Sequence, residues 1–171
     1  MNTSLYQATV PGYLQTIEAV IELVEKAEVY CADGGCSAEE LIQAGLMDDM
    51  LPFTFQITSV CNHSMGAIEG LRKGVFSPNI TMLQDFDGLR GMLTTAQSGL
   101  QALSEDDVNS FIGKPMRFEY AGRREDYIAE EFLLSFSQPN FYFHATIAYA
   151  ILRAKGVAVG KRDFLGKLRT I

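Results

Sequence analysis

The sequence contains no tryptophan, and histidine and cysteine are rare, with two and three residues among 171. Basic residues are outnumbered by acidic ones, 14 against 21, which gives a formal net charge of −7. This charge disfavours nucleic acids and anionic membranes as partners, since both attract basic surfaces. An odd number of cysteines is typical of a reducing compartment, so we expect a cytoplasmic protein.

Long apolar runs are also missing. The longest, FYFHATIAYAIL at 141–152, contains a histidine and is too short to span a bilayer. The N-terminus lacks the basic start and apolar run of a signal peptide, so none is expected. The composition, with 47% hydrophobic and 20% charged residues, is that of a globular protein. The length predicts a single domain over residues 1–171.

Apolar residues recur at three- and four-residue spacing in four long segments, which predicts four helices. The predicted ranges are 11–30, 52–73, 81–103 and about 130–155. Thr9 is the expected N-cap of the first helix, with Pro11 in its first turn. Pro139 lies inside the last helix, where it predicts a kink because proline cannot donate to the preceding turn.

Two shorter helices are predicted after Ser37 and Ser104. Each serine is followed three residues later by an acidic residue, Glu40 or Asp107, in the pattern of a capping box. Between the third and fourth long helices, residues 116–120 alternate apolar and polar side chains, and 121–123 read as a turn. A small β-hairpin with a second strand at 124–128 follows from this pattern. The alternative is that the last helix begins at Arg124.

These elements predict a mainly α fold, an antiparallel four-helix bundle with a small β-hairpin inserted before the last helix. The third helix contains three glycines, Gly88, Gly91 and Gly99, which permit close helix contact. Cys31 and Cys36 flank a Gly-Gly turn and could approach each other. We interpret them as inert thiols, because a lone C-x4-C has no partner pair for zinc.

The two histidines are the strongest chemical signal. His63 is midway along the second helix and His144 midway along the fourth, each beside small or polar positions. If these faces meet, they enclose a polar pocket, and bundle interiors are where such folds build ligand and metal sites. The pocket would be lined by Gln56, Ser59, His63, Asn140, His144 and Ala148. The alternative is that each histidine is a hydrogen-bonded core residue.

The stretch PNFYFHATIAYAILRAKGVAVGKRDFLG is similar to the C-terminal signature of a bacterial family of unknown function. That family belongs to the DinB/YfiT-like superfamily of proposed metalloenzymes. The stretches VPGYLQTIEAVIELVEKAE, DDMLPFTFQI and CNHSMGA resemble the same family in the same order, so the resemblance covers nearly the whole chain. It implies a four-helix bundle of up-down-down-up arrangement and a homodimer.

In many members of that superfamily, one histidine of the second helix and an H-x3-H pair of the last helix bind a divalent metal. His63 matches the first ligand and His144 the first half of the pair, but the second half falls on Ala148. Asp49, Asp85 and Asp87 could only reach the site from elsewhere, and Tyr149 would be a poor ligand. The resemblance therefore implies an empty or weakly occupied site, with zinc or nickel as the metals to expect.

Three functions remain open at this point. The first is a binding protein with a degenerate or weak metal site that binds a small molecule. The second, implied by the resemblance, is a metal-dependent enzyme that transfers a low-molecular-weight thiol to an electrophile, with a third ligand that is not identified. The third is a structural dimer without a ligand.

Overall fold

Four long helical segments make up most of the structure, a computed structural model that describes residues 3–170. In chain order the elements are α1 Leu5–Ala32, α2 Ala38–Ile42, α3 Phe53–Cys61, the π-helical turn π1 Asn62–Gly66, α4 Ala67–Lys73, β1 Val75–Phe76, α5 Phe86–Gln101, α6 Glu105–Asn109, β2 Pro115–Tyr120, β3 Arg123–Ile128, α7 Ala129–Glu131, the π-helical turn π2 Phe132–Ser137, α8 Gln138–Ala154 and α9 Lys161–Leu165. The chain runs continuously from α3 through π1 to α4, and from α7 through π2 to α8. The predicted mainly helical fold is confirmed.

The long helices pack around one apolar core. α1 packs against α5 and α8, and α3 also packs against α5 and α8. Each of these four helices therefore has two of the others as neighbours. All four contribute large, fully buried side chains: Tyr13, Ile17, Leu23, Phe53, Ile57, Leu89, Leu93 and Phe141. Burying this apolar surface, at about 25 cal/mol per Å², stabilises the bundle. Within residues 3–170, no helix has both the length and the hydropathy that a membrane crossing requires.

The predicted hairpin is present, and the alternative of a helix beginning at Arg124 is wrong. β2 and β3 pair antiparallel, from Pro115 opposite Ile128 to Tyr120 opposite Arg123. Ala121 and Gly122 both have positive φ, 50° and 81°, as the tight turn of a two-residue hairpin requires. The sequence did not predict β1, which pairs in parallel with β2 and completes a three-stranded sheet.

Two helices begin elsewhere than predicted. α1 begins at Leu5 because Ser4 is the N-cap and its hydroxyl accepts from the N–H of Gln7 at 3.2 Å. Thr9 is therefore not a cap; it lies inside α1, and its hydroxyl donates to the carbonyl of Leu5 at 2.7 Å. The helix continues through Pro11, since burial of Leu5 and Val10 outweighs one missing backbone bond.

The third long helix, α5, begins at Phe86 rather than at residue 81. Asp85 caps it by accepting from the N–H of Gly88 at 2.6 Å. The preceding residues lie against α3, where Thr58 donates to the carbonyl of Thr81 at 2.7 Å and Thr54 to that of Leu83 at 2.8 Å. These side-chain bonds, which link residues distant in the sequence, keep that segment out of the helix.

Both short helices predicted from serine caps are present. Ser104 and Asp107 form a full capping box at α6. At α2, the hydroxyl of Ser37 accepts from the N–H of Glu40, but the Glu40 carboxylate pairs with Lys155 at 3.1 Å. The acidic side chain thus joins α2 to Lys155, the residue that follows α8.

Two of the three glycines of α5 lie in close contacts within the chain: a Cβ atom at Gly88 would lie 3.2 Å from the carboxylate of Asp85 and 3.4 Å from the side chain of Leu83. A Cβ atom at Gly99 would lie 2.9 Å from the sulfur of Met65, whereas one at Gly91 would meet nothing within 4 Å. The close helix contact that the glycines suggested is therefore made at Gly99, by a side chain of π1.

Candidate functional site

The candidate site lies where the two π-helical turns approach each other. A π turn, with its i to i+5 hydrogen bonding, is rare and occurs frequently at functional sites. His63 lies in π1, and Ser137 is the last residue of π2. π2 ends two residues before Pro139, where the sequence predicted a kink. The side-chain amide of Asn140 donates to the carbonyl of Phe136 at 2.7 Å, so this backbone oxygen of π2 has a hydrogen-bond partner.

The two histidine rings are stacked. The centres of the His63 and His144 rings are 5.8 Å apart, and their planes differ by 11°. His63 is buried and His144 is partly buried, so the site is nearer to solvent on the side of α8. The pair is formed because π1 packs against α8.

Gln56 determines which nitrogen of His144 carries the proton. The amide nitrogen of Gln56 donates to the carbonyl of Leu51 at 2.8 Å, so its carbonyl oxygen faces His144. This oxygen lies 2.8 Å from Nδ1 of His144. Because an amide oxygen can only accept, Nδ1 must be the donor. Nε2 of the neutral ring then carries a free lone pair.

Ser137 has the same effect on His63. Its hydroxyl donates to the carbonyl of His63 at 3.0 Å, so it can only accept from the imidazole. The hydroxyl oxygen lies 3.4 Å from Nδ1 of His63, a long hydrogen bond. Nδ1 is therefore the protonated nitrogen here too, and Nε2 is again the one with a lone pair.

Both rings are neutral near pH 7. Burial, together with a smaller effect of the neighbouring His144, lowers the pKa of His63 to about 3. Burial also lowers the pKa of His144 to about 4. Desolvation disfavours the charged imidazolium, and neutral imidazole is the form that binds metal.

Aromatic rings surround the pair and account for its desolvation. Phe55 and Phe143 lie edge-on to His144, with ring centres 5.8 and 5.3 Å away. Phe76 and Phe136 lie 5.5 and 5.7 Å from His63. The site is thus two neutral imidazoles in an apolar wall.

Of the predicted pocket residues, the structure brings three together: Gln56 is hydrogen-bonded to His144, and the ring of His144 is stacked on that of His63. Ser59 is buried one turn before His63, but within residues 3–170 it has no hydrogen bond to either histidine. The Asn140 amide is engaged by the backbone, as described above. Ala148 is 1% exposed, one turn beyond His144.

Two surface cavities touch π1, and both are lined by Asn62 and Gly66, which lie on either side of His63 in the sequence. The predicted polar cavity around the two imidazoles therefore stays a prediction. His144 is only partly buried, so a ligand from solvent would reach the pair at His144 rather than at the buried His63.

The donor set fits a metal only in part. The ring centres are 5.8 Å apart, so one zinc ion about 2.0–2.1 Å from each Nε2 can be held only once the stacked rings tilt, because a metal lies in the plane of the imidazole that binds it. The hydrogen bonds on both Nδ1 atoms are the outer contacts that metal-binding histidines use. However, among residues 3–170 no three His, Cys, Asp or Glu side chains are grouped to hold an ion. A closed three-ligand site does not fit.

Ser137 is the site residue that the sequence analysis missed. Serine is common in helices, and nothing in its neighbours marks it as a partner of a residue 74 positions away. The only available signal was Pro139, two residues later, which indicates an interrupted helix.

Comparison with known proteins agrees with the fold. The structure is similar to the crystal structure of a DinB family member from Shewanella denitrificans, with a TM-score of 0.79 and 24% sequence identity. That match covers 98% of this chain and 94% of the other, and at this identity it establishes the fold alone. No curated protein matches the chain. Residues 5–165 match the family described as a domain of unknown function, DUF1993. The chain therefore belongs to the DUF1993 family.

Proposed function

We propose that this protein is a binding protein whose site is the His63–His144 pair. The pair binds a divalent metal such as zinc or nickel weakly, and a small molecule occupies the remaining positions around the ion. The protein contributes two neutral imidazoles and an apolar wall, and the bound metal would supply a Lewis acid.

The observation that carries this proposal is the shared orientation of the two imidazoles. Gln56 and Ser137 hold both Nδ1 atoms as donors, which leaves both Nε2 atoms as acceptors. Two core histidines that served only packing would have no need of the same free nitrogen. The depressed pKa values support the proposal because the lone pairs stay available well below pH 7.

Ala148 favours a binding protein over a thiol transferase. A catalytic zinc site usually has three protein ligands and one open position. A buried methyl group one helical turn from His144 supplies no third ligand. Two ligands leave the ion exchangeable, so a transferase that depends on a resident metal is the weaker candidate.

The first experiment measures zinc and nickel binding by equilibrium dialysis, with untagged protein that has been purified without nickel. We expect weak, reversible binding that falls at least tenfold in His63→Ala and in His144→Ala. Asn62→Ala is the matched control, since its side chain lies next to His63 in π1 but bonds to the loop at Asn79. Equal binding by all four proteins would overturn the proposal.

A gain-of-function pair tests the geometry separately. Ala148→His adds an imidazole four residues after His144, on the same helical face. Zinc affinity should rise at least tenfold if His63 and His144 already point to a common position. Ala148→Leu matches the added bulk without a ligand and should bind no better than the parent. If the two variants bind zinc equally, the imidazoles do not converge.

A further inference from the structure

The C-terminal end of α1 forms a tight turn that reverses the chain. The N–H of Gly35 donates to the carbonyl of Tyr30 at 3.0 Å, and that of Gly34 to the carbonyl of Cys31 at 3.1 Å. Gly34 has a φ of +86°. These two bonds and the positive φ define a Schellman motif. The turn returns the chain so that residue 36 lies beside the last turn of the helix.

Tyr30 fixes this turn. Its ring covers Gly35 so closely that a Cβ atom there would lie 2.2 Å from the ring. Its hydroxyl donates to the carbonyl of Lys155 at 2.9 Å, just beyond the end of α8. The two sulfurs that flank the turn are therefore held on a supported backbone.

Cys31 and Cys36 are brought together by this turn. Their sulfur atoms lie 4.0 Å apart, and both side chains are partly exposed. A disulfide requires about 2.05 Å, so rotation of the two side chains must bring the sulfurs about 2 Å closer. The third cysteine, Cys61, belongs to α3 and provides an internal comparison.

We infer that Cys31 and Cys36 are a redox pair, which closes reversibly to an intramolecular disulfide by exchange with a low-molecular-weight disulfide such as oxidised glutathione. This inference is independent of the histidine site.

The exchange proceeds in two balanced steps. One cysteine loses its proton and attacks the small disulfide, forming a mixed disulfide and releasing one thiolate. The second cysteine then loses its proton and attacks the protein sulfur, forming the Cys31–Cys36 bond and releasing the second thiolate. The protein loses two hydrogens, and one small disulfide becomes two thiols.

The reduced pair is stable as thiols. Burial is the main cause that raises the pKa of Cys31 to about 11, and the hydrogen bond with Cys36 acts in the same direction. Thiolate is the reacting form, so exchange is slow near pH 7. The closed form would tie the end of α1 to the approach to α2, where Glu40 pairs with Lys155.

The experiment equilibrates the full chain with reduced and oxidised glutathione at pH 8, quenches with an alkylating agent and cleaves after glutamate. Cleavage after Glu28 and Glu39 yields peptide 29–39, which contains Cys31 and Cys36 without Cys61. We expect this peptide to lose two hydrogen masses. Alkylatable thiols in the unfolded chain should fall from three to one.

Dilution separates the disulfide from a glutathione adduct. When both glutathione species are diluted tenfold, the ratio of disulfide to dithiol rises tenfold, because two thiols are released for each disulfide consumed. The ratio of a mixed adduct to free thiol does not change. Cys61→Ser should behave like the parent, and Cys36→Ser should form only the adduct. A persistent adduct on the parent, a bond to Cys61 or to a second chain, or three free thiols would overturn the inference.

Discussion

Lowering the pH from 7 to 5 should destabilise this protein through its two histidines, before its carboxylates are protonated. In the unfolded chain a histidine has a pKa near 6.5, but in the fold His63 and His144 have pKa values of about 3 and about 4. Between these limits the unfolded state binds more protons than the folded state. Stability is therefore full above pH 6.5 and falls as the pH falls.

The size of the effect follows from these values. Each histidine that stays neutral in the fold but titrates at 6.5 when unfolded lowers the free energy of unfolding by about 1.9 kcal/mol between pH 7 and pH 5. Because His144 is partly exposed, its share is an upper bound, and we expect about 3 to 4 kcal/mol for the pair. This is a large fraction of a total stability of about 5–15 kcal/mol. Near pH 5.5, unfolding should take up about 1.8 protons through these two residues.

The assay is urea unfolding at pH 7, 6 and 5, followed by far-UV circular dichroism because the chain has no tryptophan. The control is the double variant His63→Gln, His144→Gln, whose amides do not titrate. Its absolute stability differs from that of the parent, but its change between pH 7 and pH 5 should be smaller by about 3 to 4 kcal/mol. If the parent and the double variant lose the same free energy, the two histidines are not held neutral by the fold, and the reasoning fails.

Three further predictions use other features of the structure. Zinc affinity should change less than threefold between pH 7 and pH 5.5. At a site made of two histidines of ordinary pKa, the affinity would fall about seventyfold over the same range. Equilibrium dialysis at both pH values distinguishes these cases. Tyr13→Phe should leave the melting temperature unchanged or raise it, because the buried Tyr13 hydroxyl has no hydrogen-bond partner within residues 3–170; a drop of several degrees would reveal a partner. Gly35→Ala should destabilise by about 2 kcal/mol, because its Cβ meets the ring of Tyr30, whereas Gly91→Ala in open space should stabilise by about 0.5–1 kcal/mol. Urea unfolding of both glycine variants checks that contrast, which equal effects would contradict.

The fold was predictable where local signals agreed with the tertiary structure. Ser37 and Ser104 cap short helices as expected, and residues 116–128 form the hairpin. Prediction failed where the end of an element depends on contacts with residues distant in the sequence. Thr54 and Thr58 hold the carbonyls before α5, a contact between α3 and a loop that no local pattern reveals. The predicted start of α1 at residue 11 was wrong, because the helix extends on the N-terminal side of Pro11 as far as the buried Leu5.

The candidate site was predictable only in its residue types. The sequence placed His63 and His144 midway along two helices, each beside small or polar positions that could face each other. It could not predict that the rings lie 5.8 Å apart, because this depends on how π1 packs against α8. The two π turns have no sequence signature apart from Pro139. The protonation of each ring depends on Gln56 and Ser137, and therefore on contacts across the bundle.

The most direct test of the binding proposal is a long-range ¹H–¹⁵N NMR spectrum of the imidazole rings at pH 7. Only two histidines contribute, so each ring can be assigned with one single-site variant. We predict that both rings are neutral with the proton on Nδ1, and that zinc shifts both Nε2 signals together. A proton on Nε2 of either ring, or zinc that leaves either Nε2 signal in place, would contradict a shared two-imidazole site.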